Sequence, residues 1–158
     1  MSGLEDLYRE IILDHYRAPR NRGELPVPPA HRSEGFNPLC GDEVVLYLEV
    51  DDDVVVDVKT GGQGCSISQA STSMMSSAIK GKTIAETRAL IRAFKALMSI
   101  HESKLEGAAA PGAEGDAAEI RLGDLEALQG VVKFPVRIKC ATLSWNTLDQ
   151  GLDDIESA

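Results

Sequence analysis

Val44-Val45-Leu46-Tyr47-Leu48-Glu49-Val50, Asp51-Asp52-Asp53 and Val54-Val55-Val56-Asp57-Val58-Lys59-Thr60 run directly into Gly61-Gly62-Gln63-Gly64-Cys65, and this stretch decides the fold. Both arms are rich in β-branched residues and the acidic triplet between them is a turn, so the pair predicts an antiparallel hairpin. The glycine-rich exit then ends the sheet. Ser66 is placed to cap a helix through Ser68–Ile79, and Gly81 stands where such helices end. Cys65 is thereby expected at a strand-to-helix turn.

Outward from this centre, Leu4, Leu7, Tyr8, Ile11, Ile12 and His15 recur at helical spacing and predict an amphipathic first helix of about four turns. Pro19 stops it, and Pro26, Pro28 and Pro29 keep the chain extended to about residue 36. Residues 36–42 then form or flank a further strand, with Cys40 and Asp42 in its turn. Downstream, Thr83 caps a helix carrying Ile84, Leu90, Ile91, Phe94, Leu97 and Met98 to about His101. A Gly/Ala/Pro segment, about 105–117, has no large apolar group to bury and reads as a flexible loop. Residues 123–129 suggest a short helix. Pro135 breaks the chain before a last helix, about Cys140–Gly151, with Leu143, Trp145 and Leu148 available for packing. Helix, small antiparallel sheet, then helices make an α+β fold, expected as a single domain over residues 1–158.

A chain of 158 residues that is 43% apolar can bury a core without metal or disulfide support. Aromatic residues are only 4%, which disfavours stacked-base recognition of single-stranded nucleic acid. A net charge of −9 disfavours a broad phosphate-binding surface. No stretch approaches the roughly 18–20 apolar residues of a membrane helix. Met1-Ser2-Gly3-Leu4-Glu5-Asp6 lacks the basic start and apolar run of a signal peptide, so a cytoplasmic location is expected. Thiols stay reduced there, and three cysteines cannot all pair in one chain.

The cysteines are Cys40, Cys65 and Cys140, with 24 residues between the first two and 74 between the last two. No C-x-x-C pair is present, so spacing leaves two readings open. They are three buried cysteines acting as small apolar groups, or they share a metal with Asp42, two places after Cys40. Three thiolates and one carboxylate complete a four-ligand zinc shell. With Zn2+ the set carries about −2, which nearby cations should offset. Arg137 and Lys139 stand beside Cys140 for that purpose; without the cysteine they would read as an ordinary charged end of an element. Cys65 at a strand-to-helix turn and Cys140 at a helix start would both meet free backbone N–H groups.

His15, on an apolar helix face, reads as a packed, hydrogen-bonded histidine rather than a ligand, and Met74-Met75 as core. His31 and His101 carry nothing specific. Asp51–Asp53 lack the spaced ligands of a calcium loop. Gly61-Gly62-Gln63-Gly64 lacks the Lys-Ser/Thr ending of a phosphate-binding loop.

Leu7-Tyr8-Arg9-Glu10-Ile11-Ile12-Leu13-Asp14-His15-Tyr16-Arg17-Ala18-Pro19-Arg20-Asn21, Asn37-Pro38-Leu39-Cys40-Gly41-Asp42 and Gly64-Cys65-Ser66-Ile67-Ser68 together resemble the IscU/NifU N-terminal family of iron–sulfur assembly proteins. The resemblance covers nearly the whole chain and implies one metal site made of Cys40, Asp42, Cys65 and Cys140. Two departures select a branch. Scaffold members carry histidine immediately before the third cysteine, where this chain has Lys139, and a Leu-Pro-Pro-Val-Lys segment that Phe134-Pro135-Val136-Arg137 does not reproduce. The stretch between Cys65 and Cys140 is also longer than theirs. Arg137-Ile138-Lys139-Cys140-Ala141-Thr142-Leu143-Ser144-Trp145 resembles the SufU-type branch instead, whose members bind zinc and accept persulfide sulfur from a SufS-type cysteine desulfurase, a pyridoxal-phosphate enzyme.

That resemblance implies a zinc-dependent sulfurtransferase feeding downstream iron–sulfur assembly components, with no nucleic acid or membrane partner. Cys40, exchanged off the zinc for a ligand of the desulfurase, would be the sulfur acceptor. Arg137 is a candidate to dock the partner or steady the freed thiolate. Two alternatives remain: a scaffold assembling a [2Fe–2S] cluster on the same ligands, or a zinc-stabilised interaction module without chemistry.

Overall fold

A computed structural model describes residues 3–27, 29–38, 41–106, 125, 127, 128, 131 and 135–157, with side chains described for 9–27, 29–38, 41–98, 125, 127, 128, 131 and 137–157. Cys40 lies outside these residues. So do 107–117 of the expected loop, most of the expected 123–129 helix, and the side chains of Leu4, Leu7, Tyr8 and His101. Helix α1 spans Gly3–Arg17, β1 His31–Asn37, β2 Asp42–Asp51, β3 Val54–Gln63, α2 Ser66–Ile79, α3 Ile84–Glu106 and α4 Pro135–Ser157. The strands form an antiparallel meander in the order β1-β2-β3. The architecture is α+β, as expected from the sequence.

The β2–β3 hairpin closes through Asp52 and Asp53, at φ 53° and 64°. Two successive left-handed residues match the right-handed twist of the strands, and a short polar side chain tolerates that conformation better than a branched one. Alternation along β2 sends Val44, Leu46 and Leu48 into the core. Leu46 and Leu48 share one core cluster with Ala70, Met74, Met75 and Ile79 of α2, which packs against β3. Helix α4 packs on β1 and β2 and against α2 and α3, and the Phe94 and Trp145 rings stack with centroids 4.5 Å apart. Leu125, Ala127, Leu128 and Val131, in short 3-10 turns, are also buried.

Several boundaries differ from the sequence expectation. β1 begins at His31, where a strand was expected only from residue 36. Its residues are poor strand formers, and pairing with the strongly β-forming β2 draws them in. Asp42 is consequently the first residue of β2, directly opposite Asn37, and not a turn residue. Helix α3 continues to Glu106, so Leu105 and Glu106 are helical and not part of a loop. Glu102, Lys104, Leu105 and Glu106 are good helix formers, and Gly107 is the first breaker. Helix α4 starts at Pro135, not near Cys140. Proline opens a helix readily because its missing N–H would be unpaired there anyway.

His15 is buried, its Nδ1 2.8 Å from Ser73 Oγ on α2. It clamps α1 to α2 as a packed histidine. At the start of α3, Glu86 N–H donates to Thr83 Oγ1, the cap expected of Thr83, and Thr83 N–H donates in return to Glu86 Oε1.

Candidate metal centre

Three structural elements end at one place. Asp42 opens β2, Cys65 precedes α2, and Cys140 lies in the second turn of α4. One carboxylate oxygen and the two sulfurs all fall within 4.8 Å of one another. Among the described residues this is the one cluster of three or more such donors. Asp42 and Cys140 are fully buried and Cys65 is half-buried.

The helix cap at Cys65 is the sulfur itself. Ser68 N–H donates to Cys65 Sγ at 3.4 Å, while Cys65 N–H donates to Asp42 Oδ1 at 2.9 Å. Ser66, expected as the cap, is the first helical residue instead. The sulfur three residues before Ser68 reaches the orphan N–H of the first turn, where the positive end of the helix favours a thiolate. Gly64 makes the approach possible: a Cβ there would overlap Asp42 Oδ1 and stand 3.0 Å from its Cγ.

Cys140 is held differently. As the sixth residue of α4 it has its backbone N–H inside the helix, so the expected free amide is absent. Side chains take over. Asn37 Nδ2 approaches its sulfur at 3.9 Å and Asp42 Oδ2 at 3.5 Å. Arg137, exposed on the first turn of α4, hydrogen-bonds Cys140. That bond, reinforced by the charge of the Cys65 and Cys140 sulfurs, pushes its guanidinium above the usual arginine range. Lys139, the other expected cation, is exposed on α4.

A buried carboxylate beside two thiols, with hydrogen-bond donors aimed at its oxygens and at both sulfurs, is a donor set made for a cation. Burying such groups without one is costly. Tetrahedral zinc with bonds of about 2.0–2.3 Å holds its ligands roughly 3.5 Å apart, so the cluster needs only slight contraction. Cys40 stands two residues before Asp42 in the chain and lies outside the described residues.

The family model for the NifU-like N-terminal domain matches residues 7–141. The chain belongs to the NifU-like N-terminal domain family. Within it, the chain is 46% identical over 151 residues to the zinc-dependent sulfurtransferase SufU of Bacillus subtilis, covering 96% of this chain and 92% of that protein. It is 37% identical to the iron–sulfur cluster assembly scaffold protein IscU of Streptococcus pyogenes, covering 96% and 86%. Among solved structures, the SufU of Fervidobacterium islandicum, described as a cluster assembly scaffold protein for the SUF system, superposes with a TM-score of 0.75 at 35% identity, covering 95% and 99%. The NifU-like N-terminal protein of Brucella abortus gives 0.77 at 27%, covering 99% of each chain. The family is one of iron–sulfur cluster assembly, as the sequence motifs implied. No helix among the described residues is long and apolar enough to cross a membrane.

Sequence reasoning assigned no role to Asn37 or Ser68. Asn37 stood within Asn37-Pro38-Leu39-Cys40-Gly41-Asp42, five residues before the candidate carboxylate, which was the available signal.

Proposed function

We propose that this protein is a zinc-dependent sulfurtransferase of iron–sulfur cluster biogenesis, taking persulfide sulfur onto Cys40 from a SufS-type, pyridoxal-phosphate cysteine desulfurase and stimulating its turnover. The observation that carries the reading is the convergence of Asp42, Cys65 and Cys140. The 46% identity to a protein named for zinc-dependent sulfur transfer supports it.

Asp42, Cys65 and Cys140, with Cys40, would hold the zinc, which when bound keeps the sulfurs ionised at neutral pH. The Cys40 thiolate attacks the outer sulfur of the donor persulfide. A sulfur–sulfur bond to Cys40 forms, the donor's sulfur–sulfur bond breaks, and the donor cysteine leaves as a thiolate; no net oxidation occurs. Asp42, Cys65 and Cys140 stay in place because each accepts a hydrogen bond, from the Cys65 N–H, the Ser68 N–H and the Asn37 amide respectively. Arg137, exposed and facing both sulfurs, steadies negative charge at the mouth of the site and meets the partner there. Cytoplasmic downstream assembly components would receive the sulfur.

A [2Fe–2S] scaffold is the second reading, favoured by relatives 37% identical and named as scaffolds. Metal analysis of anaerobically purified protein, with a desulfurase assay, separates the two. Colourless protein with about one zinc per chain and a stimulated desulfurase supports transfer. Brown protein with iron and labile sulfide supports the scaffold. Zinc without stimulation leaves an interaction module. Cys40→Ala should remain folded and lose sulfur acceptance; full stimulation by that variant would sink the role given to Cys40.

A further inference from the structure

Asn37 ends β1 and is buried, pairing across the sheet with Asp42. Its carbonyl accepts the Gly41 N–H at 2.9 Å, closing the connection that carries Cys40. Its side chain points the other way, into the donor cluster. The amide nitrogen lies 3.5 Å from Asp42 Oδ2 and 3.9 Å from Cys140 Sγ. An amide has two N–H donors on that nitrogen, and here two acceptors face it. Turned over, the amide would present an oxygen to the carboxylate and, with a metal bound, to a thiolate, with no proton between any of them. The nitrogen-inward orientation is therefore the chemically consistent one.

Cys65 needs no such help, because Ser68 N–H already supplies its sulfur. Cys140 sits where its own helix offers no free N–H. Asn37 adds from β1 a donor that the α4 backbone cannot supply, beside the Arg137 side chain.

We propose that Asn37 is a positioning residue for the metal centre, donating to both Asp42 and Cys140 so that β2 and α4 present their ligands at a fixed separation. The inference rests on the metal-site reading above. Groups that orient ligands from behind typically change metal affinity by about 10–100-fold when removed. An N–H on a thiolate also withdraws charge from the sulfur, which a bound transition metal reports in its spectrum.

Wild type, Asn37→Ala and Asn37→Leu are compared by zinc competition against a chromophoric chelator, by the absorption spectrum with cobalt in place of zinc, and by thermal unfolding without metal. Leucine keeps the branching of asparagine at Cγ, is somewhat larger, and removes both its donors and its acceptor. Both variants should bind zinc about 10–100-fold more weakly, with the sulfur-to-cobalt band moved to longer wavelength. The metal-free midpoint of Asn37→Leu should stay within about 4 °C of wild type. Unchanged affinity and an unchanged cobalt band would overturn the role of Asn37 alone. Affinity lost only together with the metal-free fold, in both variants, would make Asn37 structural and overturn it too. A wild-type protein that takes up neither zinc nor cobalt would remove the metal reading itself.

Discussion

Cys65 and Cys140 reach the same cluster by opposite routes. Cys65 sits at a helix entrance, half-exposed, with its sulfur capped by a backbone N–H three residues away. Cys140 lies inside a helix, fully buried, and takes its donors from Asn37 on another element and from Arg137 one turn earlier. One thiol is placed by its neighbours in sequence. The other is placed by how α4 packs, and it is only as well positioned as that packing.

Trp145→Ala tests the packed side hardest. Trp145 stacks on Phe94, and its Nε1–H donates to Ser71 Oγ, which itself donates to the carbonyl of Ala141 beside Cys140. Losing a buried tryptophan typically costs about 3–5 kcal/mol. Urea unfolding should show that loss, and zinc affinity should fall with it as the Cys140 turn loosens. Full zinc affinity in a clearly destabilised variant would mean Cys140 does not depend on α4 packing.

Gly64→Ala strikes the local side instead. The added methyl overlaps the Asp42 carboxylate, and such overpacking costs about 1–3 kcal/mol. Weaker zinc binding is expected from displacement of Asp42 and the Cys65 turn. Stability and affinity both equal to wild type would show that the turn has slack.

The smallest effect is a control remote from both cysteines. Thr83→Ala removes the α3 cap and should lower stability by about 1 kcal/mol without changing zinc affinity. Its partner gives a pH signature. The Thr83 N–H and hydroxyl hold the Glu86 carboxyl below its usual range. A carboxyl lowered in the folded state stabilises above its unfolded pKa, and the gain is lost as pH falls through the folded value. Wild type should therefore lose its advantage over Glu86→Ala on acidification, as followed by thermal midpoints across that window. A difference independent of pH would remove Glu86 from the cap.

Local chemistry was legible wherever a few adjacent residues settle the outcome. The hairpin followed from two β-branched arms and an acidic turn, the α3 cap from Thr83, and the end of α2 from Gly81. Motif residues also led to Asp42, Cys65 and Cys140 as one cluster. The misplaced boundaries share a cause. β1 is a strand because β2 pairs with it, and α4 begins at Pro135 although proline usually reads as a stop. Ser66 was expected to cap α2 because serine does so commonly; the sulfur of Cys65 took the N–H first.

By itself, then, the sequence determined the hairpin, most of the helices, the family motifs and the placement of Cys65, since interactions across three or four residues form wherever the chain goes. Only the tertiary structure decided how Cys140 meets Asn37 and Asp42, 103 residues and 98 residues away in the chain. That meeting depends on how closely α4 approaches β1, where Gly35 lets Thr147 come against the strand backbone. No sequence spacing encodes such an approach, because it is set by side-chain volumes on several elements at once.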